Sequence, residues 1–204
     1  GFEVHKTVEN YSFKDIQLPE TLPLETLKAC AFLKHNQNLI LYGKPGTGKT
    51  HLATALGVEA CKQGHPVLYY KTSRLVNMLV DYKAKNKLDS FWSKLKKASL
   101  LILDEWGYIP FERIGTQLLF ETIAECYEQR SVIITTNLPF NEWNTIFYHK
   151  RNPGPFLSSE RTKFILPNTT LETTVFNKTS KLGSPLPLVS NNSDTGFRII
   201  YTSV

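Results

Sequence analysis

The sequence predicts an α/β domain on a central parallel sheet wound by right-handed crossovers. Three observations predict it: apolar runs of strand length, stretches of helical periodicity between them, and glycine at several of the joins. A chain of 204 residues has room for one such domain with or without a tail, and excludes a second large one. With 41% apolar and 21% charged residues, a domain of this size buries about two-thirds of its unfolded surface, which argues against global disorder.

Taken in order, residues 1–37 mix aromatics, acids and two Leu-Pro steps, with a helix expected from about Leu24 to Lys34. This reads as a lead-in segment. Asn38 to Tyr42 is a short apolar run ending at Gly43, as a buried parallel strand requires. Between Lys49 and Lys62 the residues Leu52, Ala55, Leu56 and Ala60 recur at helical spacing, and Gly64 supplies a stop. Val67 to Tyr70 reads as a second strand, and Ser73 to about Lys97 as mostly helical. Leu100 to Leu103 and Ser131 to Thr135 are two more buried strands, separated by a helix from about Gly115 to Gln129. Residues 38–150 therefore form the core. Beyond it, 28 of the last 54 residues are Ser, Thr, Asn, Pro or Gly, so residues 151–204 read as a weakly ordered tail with short strands expected around Thr173 to Phe176 and Phe197 to Tyr201.

Gly43-Lys44-Pro45-Gly46-Thr47-Gly48-Lys49-Thr50 fits the pattern G-x-x-x-x-G-K-[ST], set after a strand and before a helix. Gly46 and Gly48 let successive backbone N–H groups curl toward phosphate oxygens, and the helix N-terminus adds partial positive charge. Lys49 then binds the β- and γ-phosphates of ATP, and the Thr50 hydroxyl ligates Mg²⁺. Lys44 and Thr47 contribute through their backbone amides. Gly43 to His51 together are expected to bind the nucleotide; His51 itself reads as a packing or capping residue without a catalytic role.

A second element, Leu100 to Glu105, is an apolar strand carrying two acids at its carboxyl end, the edge at which open α/β sheets bind ligands. Asp104 suits the metal, and Glu105 suits activation of the attacking water. The strand Ser131 to Thr136 ends in Asn137, whose amide suits orientation of water or a γ-phosphate oxygen; a turn-forming Asn is the structural alternative. His5 and His149 have no metal-like companions.

These segments together resemble the AAA+ branch of the P-loop NTPases, whose fold is a three-layer sandwich with a central parallel sheet. Within it they are similar to the clade of DnaC-type helicase loaders and, more closely, to the IstB-type helper ATPases of insertion sequences. The resemblance runs from about Thr7 to Phe147 and is carried by Tyr42 to Ala53, Leu101 to Gly107, Ile133 to Phe140 and the following Glu142-Trp143, with Val8 to Phe13 similar to the family's lead-in. It implies ATP-dependent assembly on DNA and delivery of a partner, a transposase or a replicative helicase. Nothing after Phe147 matches the family's Asp-Arg helix. Arg151 and Arg161 lie in that region outside the pattern, which implies weak ATP turnover and a frameshifted or alternative terminus. Gly1 in place of Met points to a fragment whose start is missing.

The formal charge of +6 favours polyanionic partners. Lys83, Lys85, Lys87, Lys94, Lys96 and Lys97 crowd into one stretch with Phe91 and Trp92 between them. Lysines contact phosphates without reading sequence, so this stretch is expected to bind DNA non-specifically, a solvated face being the alternative. Phe91 and Trp92 read as core or subunit-interface aromatics rather than base-stacking ones. ATP-dependent homo-oligomers are expected from the resemblance. No apolar run is long enough to span a bilayer, and Cys30, Cys61 and Cys126 form no metal-type pair, so a reducing cytoplasm fits best. A nucleotide-switched binding module that hydrolyses little, and a small-molecule kinase, are the competing readings. The second lacks an arginine-bearing lid.

Overall fold

The computed structural model describes residues 6–108, 111–139, 142–143 and 197–202. Short strand β1 (Ile16–Gln17), helix α1 (Leu24–Lys28) and a 3-10 turn over Ala31–His35 lead into β2 (Asn38–Gly43). There follow α2 (Lys49–Lys62), β3 (Val67–Lys71), α3 (Thr72–Ala84), α4 (Leu88–Lys96), β4 (Leu100–Trp106), α5 (Arg113–Ala124), β5 (Ser131–Thr136) and β6 (Phe197–Thr202). One six-stranded sheet has the order β1-β6-β2-β5-β4-β3. Strand β5 thus lies between β2, which leads into the phosphate-type loop, and β4, which carries the two acids.

Successive residues of a strand face opposite sides, so a strand covered on both faces must be apolar throughout. On one face Leu39, Leu41, Leu100, Ile102 and Ile133 pack with Leu52, Ala55 and Leu56 of α2, and with Leu22, Leu27, Phe32 and Leu33 of the lead-in. On the other, Ile40, Leu101, Leu103, Val132 and Ile134 pack with residues of α3, α4 and α5. Helix, sheet, helix make three layers.

Several expectations change. The sheet is mixed: β6 runs antiparallel to β2, with Leu41 opposite Ile199, although the remaining pairings are parallel. The strand expected around Phe197 to Tyr201 is present as β6, where Ile199 and Ile200 supply apolar side chains to both faces. The helical stretch from Ser73 is two helices, since Asn86 adopts φ +53° and the Lys87 N–H bonds back to Tyr82, closing α3. Leu24 to Lys34 is likewise divided: Cys30 at φ 52° separates α1 from the 3-10 turn. The lead-in joins the sheet and the core, as its β1 pairs with β6 and its side chains enter the α2 face. The strand expected at Thr173 to Phe176 lies outside the described residues, as do His5, His149, Arg151 and Arg161.

No helix among the described residues is long and apolar enough to cross a membrane. Cys30, Cys61 and Cys126 are free thiols, and burial raises Cys30 to about 12 and Cys126 to about 11.

Candidate functional site

The loop between β2 and α2 turns on two glycines with positive φ, Gly46 at +81° and Gly48 at +90°. Only a residue without Cβ takes both values at little cost. At Gly48 space is limiting as well, since a Cβ there would meet the Tyr11 hydroxyl at 2.9 Å. Tyr11 comes from the lead-in, donates to the Gly48 carbonyl at 3.3 Å and sets its ring edge-on to His51 at 4.9 Å. His51 is therefore a packing residue, and burial holds its imidazole below the usual value. Burial also raises the Tyr11 phenol to about 12, so it stays a donor at neutral pH. The Thr47 hydroxyl donates to the Lys44 carbonyl at 2.8 Å, closing the turn, while Lys44 and Pro45 are exposed at its tip.

Lys49 opens α2 and is 7% exposed. Its ammonium donates to the carbonyls of Gly43 at 2.8 Å and Lys44 at 2.6 Å, which holds the charge over the loop. Burial lowers its pKa below 10.5, and the nearby Asp104 acts in the opposite direction. Thr50, one residue on, donates its hydroxyl to Asp104 Oδ1 at 2.8 Å, although the two are 54 positions apart.

Asp104 is fully buried. A carboxylate in that position needs hydrogen-bond donors in place of water. Oδ1 receives the hydroxyls of Thr50 and Thr135, and Oδ2 that of Tyr69 at 2.6 Å. The Thr72 hydroxyl holds the Asp104 carbonyl at 2.8 Å. The register between β4 and β5 shifts between Leu103 and Trp106, and within that irregularity Glu105 adopts φ +59°. Irregularities of this kind re-aim side chains beside functional sites. The Glu105 N–H donates to Thr135 Oγ1 at 3.0 Å, and its carboxylate pairs with Lys71 at 2.8 Å, both side chains about one-third exposed. Asp104 and Glu105 are neighbours in sequence, yet one is enclosed and the other sits at the rim.

The structure therefore brings Gly43 to Thr50 against Asp104. Glu105 sits beside them, turned toward Lys71, and Asn137 directly follows β5, half-buried. Sequence reasoning did not find Tyr69, Thr135, Lys71 or Tyr11 as contributors. Tyr69 and Lys71 share a face of β3 by two-residue spacing, and Thr135 directly follows the aliphatic run Val132 to Ile134; these were the available signals.

All six lysines of the basic stretch are exposed, on the end of α3, the turn after it, α4 and its C-cap. Lys85 pairs with Asp81 at 2.8 Å, and Lys94 lies over the Tyr70 ring, 5.8 Å from its centre. Phe91 is core, and Trp92 is half-buried in T-shaped contact with it.

A glycine loop running into a helix, a buried acid on the second strand over and a polar strand end between them define a P-loop nucleotide-binding protein of the α/β class. The comparisons with known proteins narrow this. The chain belongs to the IstB-like ATP binding protein family, whose profile matches residues 1–152. It is 39% identical over 142 residues to an insertion sequence IS21 putative ATP-binding protein of Pseudomonas aeruginosa, covering 70% of this chain and 54% of that one. It is 35% identical over 150 residues to the IS232 putative ATP-binding protein of Bacillus thuringiensis subsp. berliner, covering 72% and 59%. The chain thus spans about half the length of these relatives. Among solved structures, a DNA replication initiation factor matches with a TM-score of 0.52 at 25% identity, over 65% of this chain and 41% of that one. DnaI matches in fold with a TM-score of 0.56 at 18% identity, over 69% and 76%.

Proposed function

We propose that this chain is an ATP- and Mg²⁺-dependent AAA+ module that assembles on duplex DNA and assists a transposase in insertion-sequence transposition. One observation carries the nucleotide part: Thr50, at the head of α2, donates to the buried Asp104 at 2.8 Å. That contact joins the phosphate loop to the acid strand. In this reading the amides of Gly43 to Thr50 cradle the phosphates, Lys49 neutralises their charge, Glu105 accepts a proton from the attacking water, and Asn137 orients the γ-phosphate. Thr50 and Asp104 fit Mg²⁺, a hard cation that takes oxygen donors and few protein ligands. When bound, the ion would neutralise charge on the β- and γ-phosphates.

The test is nucleotide affinity and turnover for wild type, Lys49→Ala and Glu105→Gln. Lys49→Ala is expected to lose about 100-fold in ATP affinity, near 3 kcal/mol for removing a desolvated charge from its partner. Undiminished affinity would remove the phosphate-loop assignment, and full turnover by Glu105→Gln would remove the base.

A second reading, a nucleotide-switched DNA-binding module with little hydrolysis, is favoured by one contact: the Glu105 carboxylate is engaged by Lys71 at 2.8 Å. ATP-dependent retention on DNA without phosphate release would support it. Pull-down with a transposase and with a replicative helicase separates the two partner classes.

A further inference from the structure

Asp104 is held by three hydroxyls, of which that of Tyr69 comes from β3, outside both the phosphate loop and the central strand β5. Among the described residues strand β3 lies at the sheet edge and pairs with β4, placing Tyr69 opposite Ile102 and Lys71 opposite Asp104. Val67, Tyr69, Leu100 and Ile102 all belong to the α2 face, so the Tyr69 ring packs there like any strand aromatic. A phenylalanine would satisfy that packing. The hydroxyl does something further: it reaches diagonally across to Asp104 Oδ2 at 2.6 Å.

The two carboxylate oxygens are treated differently. Oδ1 accepts from Thr50, on the helix after the loop, and from Thr135, on the central strand. Oδ2 accepts from Tyr69. Fixing one oxygen from the β3 side sets the rotation of the whole group and aims the other at Thr50. Because Asp104 is fully buried, bulk water cannot take over this task. Hydrogen bonds to a charged group are among the strongest a side chain makes, and second-layer partners of metal ligands change metal affinity substantially when removed.

We propose that Tyr69 is a positioning residue for the metal-binding carboxylate: its hydroxyl sets the orientation in which Asp104 and Thr50 receive Mg²⁺ with the nucleotide. The proposal rests on the reading of Thr50 and Asp104 as the metal site. It assigns Tyr69 no contact with substrate.

The experiment measures binding of a fluorescent non-hydrolysable ATP analogue across a Mg²⁺ titration, starting from EDTA. The proteins are wild type, Tyr69→Phe, Asp104→Asn and the double variant. Wild type is expected to bind more tightly as Mg²⁺ is added. Tyr69→Phe is expected to need about tenfold more Mg²⁺ for half of that gain, equivalent to about 1.4 kcal/mol, with the loss confined to the Mg²⁺-dependent part of the affinity. In the Asp104→Asn background the same substitution should add nothing, since a merely structural role of the ring or hydroxyl would persist there. An unchanged Mg²⁺ requirement in Tyr69→Phe, beside a responsive wild type, overturns the tyrosine proposal and leaves the metal site standing. An equal loss in the Asp104→Asn background overturns it too. A wild type that binds the analogue but ignores Mg²⁺ overturns the metal assignment itself, and the tyrosine proposal with it.

Discussion

The pocket around Asp104 and the lysine surface of α3 and α4 use charge in opposite ways. In the pocket one carboxylate is fully buried and meets three hydroxyls on three different elements. On the surface six ammonium groups are exposed; Lys85 forms an ion pair with Asp81 and Lys94 lies over the Tyr70 ring. The first arrangement fixes geometry, because each partner has a single place to be. The second fixes only density of charge, since screening and side-chain freedom make any one exposed lysine replaceable. Orientation and attraction are thus assigned to separate parts of one domain.

This contrast can be broken from either side. The largest effect is expected on the surface, from replacing Lys83, Lys85, Lys87, Lys94, Lys96 and Lys97 together by Gln. If each meets one phosphate, DNA affinity should fall about 1000-fold, and the slope of log K against log salt should flatten by about 0.9 per lysine removed. A single lysine should move the slope by about one at most. A single replacement that abolishes binding in a filter or anisotropy assay would show that the surface, too, depends on geometry.

Thr135→Val tests the pocket. It removes a donor to Asp104 and the acceptor of the Glu105 N–H, so a loss of about 1–3 kcal/mol is expected in urea unfolding. No loss would mean that the carboxylate is indifferent to its donors.

A smaller effect comes from pH. Burial favours the neutral form of Lys49, so in the folded protein its proton leaves at a pH below the ordinary 10.5. Nucleotide affinity should therefore begin to fall in the alkaline range before an exposed lysine would titrate, and by up to about tenfold per pH unit if the charge is indispensable. A profile that stays flat until exposed lysines titrate would contradict the role given to burial.

Glu105→Gly should change stability least. It relieves φ +59° at a residue with Cβ and gives up only a partly exposed ion pair, so a gain of up to about 1 kcal/mol is expected, while any water activation is lost. Lower stability in Glu105→Gly would place more weight on the Lys71 contact than its exposure suggests.

Much of this pocket was legible in the sequence because its signals are contiguous. Gly43 to Thr50 is a single run, Asp104 follows an uninterrupted strand, and periodicity located β2 to within one residue of its observed end. What stayed hidden depends on distance. The contacts of Tyr69 and Thr135 with Asp104 span 35 and 31 positions, and become visible only when β5, β4 and β3 are known to be neighbours. The break at Asn86 was missed for a different reason: one left-handed residue between two amphipathic stretches leaves the apolar spacing almost intact. The strand around Phe197 to Tyr201 was legible as an apolar run, but not its place in the sheet between β1 and β2, which depends on contacts remote along the chain.

That last strand also constrains how the molecule is made. The strand leading into the phosphate loop is synthesised early, yet one of its flanks is covered only when residues 197–202 have left the ribosome. On its other side it must likewise wait for β5. Contacts so remote along the chain are slow to form, and an uncovered strand edge attracts other chains in the meantime. A nascent chain stalled before residue 197 would carry the entire glycine loop while leaving its supporting strand exposed on one side.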